Sequence, residues 1–178
     1  MDAMFRECCS LVSLDLSHFN TELVEYMNEM FSQCILLSSL NLSNFRTPSL
    51  KGMKGMFYNN DKLTSLDISN FNTSSVIDMG QVFDQCHSIK SLDLSHFDTS
   101  NVVSMWHLFY NCQSLEFLDI SHFNTQKIAS MDGLFINCMS LTSLDLSSFN
   151  TENVKTMNHM FKGCAKLTSL DLKHFNTS

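Results

Sequence analysis

Leu63-Thr64-Ser65-Leu66-Asp67-Ile68-Ser69-Asn70-Phe71 places leucine or isoleucine at its first, fourth and sixth positions and phenylalanine at its ninth. From Ser65 to Ser69 apolar and polar residues alternate, the period of a short strand with Leu66 and Ile68 inward and the serines and Asp67 outward. The pattern recurs along the whole chain. Its central leucine returns as Leu14, Leu40, Leu66, Leu92, Leu118, Leu144 and Leu170, always 26 residues apart and with no insertion or deletion. A second invariant, Phe5, Phe31, Phe57, Phe83, Phe109, Phe135 and Phe161, keeps the same step. A fixed period of this length is the mark of a solenoid in which each unit touches only its neighbours. Strands separated by 26 residues cannot pair as hairpins, so they stack as a parallel sheet.

The other half of the unit reads differently. Val76, Met79, Val82, Phe83 and Cys86 are spaced as one stripe of a short helix. Threonine precedes this stripe in every unit, from Thr21 to Thr177, where its hydroxyl suits a helix N-cap. Pro48 follows Thr47, and Glu22 and Glu152 take the equivalent place elsewhere, as the first turn of a helix prefers. Gly52 and Gly55 weaken the second of these helices. The expected architecture is an α/β solenoid, parallel strands on one face and short helices on the other. It forms one domain over residues 1–178, which starts and stops inside a unit and reads as a fragment of a longer array. A single unit buries too little apolar surface to offset the entropy of ordering it, so stability comes from stacking.

Composition narrows the function. The net charge is −7, and the 11 lysines and arginines never cluster, which argues against nucleic acid and anionic membranes. No apolar run approaches the roughly 18 residues of a spanning helix, and no signal peptide opens the chain.

Unit-to-unit variation marks the candidate sites. Outward on the sheet run Asp15, Asn41, Asp67, Asp93, Asp119, Asp145 and Asp171 beside serines. Stacked carboxylates repel, so hydroxyl hydrogen bonds, a cation or a basic partner must offset them; a flat ladder offers calcium too few converging oxygens. Phe117 stands where every other unit has serine. On the helical side Ile77, Val103, Trp106, Tyr110 and Ile136 read as a cluster of exposed large apolar residues, with Trp106 and Tyr110 adjoining on one helix. The candidate binding residues are therefore Phe117, Asp67, Asp93, Asp119, Asp145, Trp106, Tyr110, Val103 and Ile136.

Six cysteines, Cys8, Cys34, Cys86, Cys112, Cys138 and Cys164, share one column with Asn60, and Cys9 stands outside it. One per unit is not metal-ligand spacing; they read as small buried hydrophobes and reduced thiols, with Cys9 the exposed one. His18, His96, His122 and His174 recur just after the strand, the first three behind a serine, but a repeated dyad is not the single activated constellation that catalysis needs. No catalytic, cofactor or metal residues are assigned. Asn41-Leu42-Ser43, Asn72-Thr73-Ser74 and Asn176-Thr177-Ser178 match the N-glycosylation pattern.

Met160-Phe161-Lys162-Gly163-Cys164, Leu167-Thr168-Ser169-Leu170-Asp171-Leu172 and Phe175-Asn176-Thr177 together resemble leucine-rich repeats, and more closely the BspA-like subfamily in its 26-residue form. The resemblance implies a right-handed array, a secreted or surface location and a role in adhesion. The expected function is a non-catalytic module that binds a protein or glycan at a cell surface. Two other readings stand beside it: a structural element that self-associates end to end, and an intracellular scaffold.

Overall fold

The computed structural model describes residues 1–176. Thr177 and the triplet 176–178 of the glycosylation pattern extend outside the described residues. The units stack with unbroken register. Strands β1 (Ser13–Asp15) and β2 (Ser39–Asn41) pair in parallel, Leu14 beside Leu40. Strands β3 (Ser91–Leu92) and β4 (Phe117–Leu118) form a second parallel pair, Ser91 beside Phe117. The sheet is thus two short ladders rather than the continuous one expected from the sequence.

The continuous ladder lies elsewhere. Tyr26, Gly52, Asp78, Ser104, Ser130 and Thr156 are joined in sequence by parallel bridges. In the turns that follow, alternate amides leave the unit: Glu29, Phe31 and Gln33 donate to the carbonyls of Lys54, Met56 and Tyr58 at 2.7–2.9 Å. The amides between them, Met30 and Ser32, close turns on Met27 and Glu29. No helix occurs among the described residues, which corrects the helical reading. The cause is backbone handedness. Two residues in each turn, four apart, sit in the left-handed region: Glu29 and Gln33 (φ 53° and 60°), Gln81 and Gln85 (59° and 60°), His107 and Asn111 (55° and 57°). An α-helix admits no such residues, whose reversal sends every second N–H outward to the next unit. The stack supplies the hydrogen bonds that hold them there.

The threonine column serves this stack and caps no helix. Thr99 Oγ1 donates to Asn124 O (3.0 Å) and accepts from Asn124 N (2.8 Å). Thr21, Thr47, Thr73, Thr125 and Thr151 make the same double bond to the unit that follows. All six threonines are buried, and each satisfies both the N–H and the C=O of one residue in the following unit. Pro48 falls after Thr47 because Leu50 N bonds Thr47 O, and proline suits the second residue of such a turn.

Inside, the Phe5 column forms one continuous stack, with neighbouring rings 5.7–5.9 Å apart and within 9° of parallel. That spacing lies in the favourable range for offset aromatic pairs. The cysteine column lies beside it. Cys34, Cys86, Cys112, Cys138 and Cys164 each donate Sγ–H to the Phe carbonyl of the preceding unit at 3.0–3.1 Å. Where cysteine is missing, Asn60 Nδ2 makes the equivalent bond to Phe31 O (3.0 Å). All seven cysteines are unpaired, and burial pushes the Cys86 thiol up to about 12.

Candidate functional site

The sheet face and the turn face carry the residues singled out by sequence, and they do so on separate sides of the unit. On the sheet face, β4 presents Phe117, 63% exposed. It is flanked by Asp119 on its own unit and Asp93 on the one before. Around it lies a cleft of about 250 Å³ lined by Ser91, Leu92, Asp93, Ser95, Phe117 and Asp119.

Each carboxylate of the row is held by the serine two residues on, except Asp171, which is held by Lys173. Asp93 Oδ1 accepts from Ser95 Oγ (2.7 Å) and Ser95 N (3.0 Å). Asp67 and Asp119 repeat both bonds with Ser69 and Ser121, and Asp145 accepts from Ser147 N at 2.9 Å. These bonds, the serine hydroxyl first, hold the carboxyls of Asp67, Asp93, Asp119 and Asp145 below the usual range, against the repulsion of neighbouring aspartates. The row is therefore a solvent-facing line of ionised carboxylates whose mutual repulsion is offset locally, and Phe117 stands beside it in the serine column.

The turn face departs from expectation. Trp106 and Tyr110 lie on no helix and do not adjoin; His107 stands between them, its ring 4.9 Å from Trp106 and 4.6 Å from Tyr110. Trp106 is half-buried: its indole lies over Gly80, where any side chain would overlap it, and Lys54 Nζ sits 5.3 Å from the ring. Ile136 is only 9% exposed and belongs to the interior. Of that cluster only Ile77 (52%) and Val103 (40%) are open to solvent, adjacent across the ladder where Val103 N donates to Ile77 O (2.8 Å). Neighbouring units cover the rest.

Two features of this face were missed in the sequence. Asp84 is 2% exposed, with Gln81 Nε2 donating to its Oδ2 (3.0 Å), His107 Nδ1 3.8 Å away, and no partner for Oδ1. Desolvation raises its carboxyl to about 6. The signal was a lone acid in a column otherwise occupied by Arg6, Ser32, Tyr58, Tyr110, Ile136 and Lys162. The second is a polar notch where Gly55 replaces the longer side chains of Glu29 and Gln81. Among the described residues no group of three or more His, Cys, Asp or Glu side chains is placed to hold a metal ion. No helix among them is long and apolar enough to cross a membrane.

A stack of 26-residue units with inward leucines and parallel pairing defines a leucine-rich-repeat-type solenoid. The crystal structure of the T. pallidum leucine-rich repeat protein TpLRR is similar, with a TM-score of 0.62 and 21% identity over 94% of this chain and 70% of that one. A leucine-rich repeat protein from Bacteroides ovatus ATCC 8483 aligns at a TM-score of 0.30 and 15% identity, over 97% of this chain and 69% of that one. No match is found among curated proteins. The chain belongs to the family described as "Mycoplasma protein of unknown function, DUF285", which matches residues 1–92, 36–117 and 104–178. Overlapping matches of this kind are what an internally periodic chain produces.

Proposed function

We propose that this chain is a non-catalytic recognition module of BspA-like character whose sheet face, centred on Phe117, binds a protein or glycan at a cell surface. The observation that carries the reading is Phe117 itself, a large side chain 63% exposed within a row of serines and beside two ionised aspartates. Exposing an aromatic ring gains nothing for folding, and such anchors dominate binding energy at interfaces. The flanking carboxylates favour a partner that presents lysine or arginine, which can pair with Asp93 and Asp119 while its stem covers the ring. The uniform row of Asp67, Asp93, Asp119 and Asp145 suits a ligand that repeats along its length.

The surface location rests on the BspA-like motif. Protease shaving of intact source cells tests it: peptides spanning Phe117 released without lysis support an external array, and their release only after lysis removes adhesion from the reading. Phe117→Ser, which restores the residue of the other units, is expected to abolish partner binding with the melting temperature unchanged. Binding that survives this change would move the contact surface off the sheet.

A further inference from the structure

The notch at Gly55 has a chemistry distinct from the sheet face. It is a cleft of about 310 Å³ bounded by Arg6, Glu29, Gln33, Gly55, Tyr58 and Gln81, at the lower end of the usual range of about 300–1,000 Å³ for ligand pockets. Its charges are already engaged: Arg6 pairs with Glu29 and with Glu7 (3.2 Å). No unpaired ion is left to attract a charged ligand. What remains are neutral hydrogen-bonding groups and one aromatic wall. Gln33 Nε2 donates to Glu7 (3.3 Å) and Gln81 Nε2 to Asp84 (3.0 Å), which leaves both amide carbonyls as acceptors. Tyr58 Oη accepts from Gln85 Nε2 (3.0 Å), so its own O–H is still available to donate. Buried Asp84 fixes the Gln81 amide from behind, which pre-orders that wall of the cleft.

Two amide acceptors, the hydroxyls of Tyr58 and Ser32 and the Tyr58 ring, around a space whose charges are already paired with one another, match what a pyranose ring requires: hydroxyls that donate and accept, and an apolar C–H face that lies on an aromatic ring. We infer that the Gly55 notch is a binding subsite for a neutral hexose unit of a glycan, with Tyr58 as its platform and Gln33 and Gln81 as its hydrogen-bonding walls. This site is separate from the Phe117 face and does not depend on it.

The repeat itself supplies the variants. Glu29 and Gln81 occupy the Gly55 column at φ 53° and 59°, close to the 60° of Gly55, so Gly55→Gln fills the notch at a backbone cost that the array already bears in those two units, and a thermal melt checks that it still folds. Ser32 occupies the Tyr58 column, so Tyr58→Ser removes the platform with a side chain the array already accepts. The experiment titrates the chain with neutral trisaccharides (maltotriose, cellotriose, mannotriose, chitotriose) at millimolar concentration and follows the Tyr58 ring and Gln81 side-chain amide signals by NMR. At least one trisaccharide is expected to shift both, and Gly55→Gln and Tyr58→Ser each weaken that binding about tenfold or more, a loss of about 1.4 kcal/mol. Phe117→Ser leaves it unchanged, which separates this site from the sheet-face reading. The inference is overturned if none of the four moves these signals, or if the shifts persist in folded Gly55→Gln.

Discussion

At the scale of the residue, Asp84 is the group whose environment and chemistry conflict most. A carboxyl 2% exposed, with one oxygen unpartnered, binds its proton more tightly in the folded chain than in the unfolded one. Its folded value, about 6, lies above the ordinary 3.8, so the folded state gains protons between these limits as pH falls. The stabilising contribution is fully present below 3.8 and lost as pH rises through about 6. At neutral pH the ionised form costs up to about 3 kcal/mol. Asp84→Asn is therefore expected to be more stable than the parent at pH 7 and to lose that advantage by pH 4, seen as a difference in denaturant midpoint at the two values. Burial lowers the His107 value and shifts its own contribution the opposite way, but His107 is common to both proteins. An Asp84→Asn chain no more stable at pH 7 would mean that Oδ1 is solvated.

At the scale of the element, the strands were legible in part and the helices were not. Period-2 alternation through Leu66 and Ile68 has one physical origin, a chain with one face inward, yet Ser65–Ser69 itself pairs into no strand, and β1 to β4 come from the first, second, fourth and fifth units. The spacing of Val76, Met79, Val82, Phe83 and Cys86 has two: a helix, or consecutive turns closed on the third residue back. Only backbone handedness separates them, and the sequence hinted at it through Asn59, Asn111, Asn137, Gly55 and Gly133, residue types that tolerate the left-handed region. At Gln33, Gln85 and His107 the stack imposes that conformation with no local signal. Pro48 and the threonines misled similarly, since turn and helix starts share those preferences. Asn59 (φ 56°) gives a test of sign. In the stacked turns, Asn59→Ala costs about 1–2 kcal/mol, whereas Asn59→Gly is near neutral. A helix would reverse that order, glycine being the worse by about 1 kcal/mol. Paired thermal melts distinguish the two.

The site was partly legible for a related reason. Phe117 broke a column of serines, and an outward position on a strand stays outward whatever the neighbours do. Ile136 and Trp106 were misjudged because their exposure depends on what the adjacent units place over them: Lys54 lies against the indole and Gly80 lets the ring sink onto the backbone. Asp84 and the Gly55 notch likewise exist only between units.

At the scale of the molecule, the stack is one-dimensional, each unit bonded to the next through the Thr and Cys columns and the turn ladder. Removing residues 79–104, one full period, rejoins every column in register and leaves a shorter array that still folds cooperatively with a lower denaturant m-value. Removing 79–103 instead leaves one unit a residue longer than the rest, so the columns misalign at that junction while the units on either side keep their own register, and the single transition splits into two. One transition as sharp as that of the first deletion would contradict columnar stacking as the source of cooperativity.

The most direct test of the account is calorimetric titration of the whole chain with a lysine-rich peptide, for the parent and for Phe117→Ser, at low and high salt. The substitution leaves the net charge at −7, so long-range attraction is the same for both. The account predicts that Phe117→Ser weakens binding about tenfold to a hundredfold, a loss of about 1.4–3 kcal/mol, at both salt concentrations. Equal affinity for the two proteins, falling together with salt, would show general attraction to an acidic surface and contradict a recognition site at Phe117.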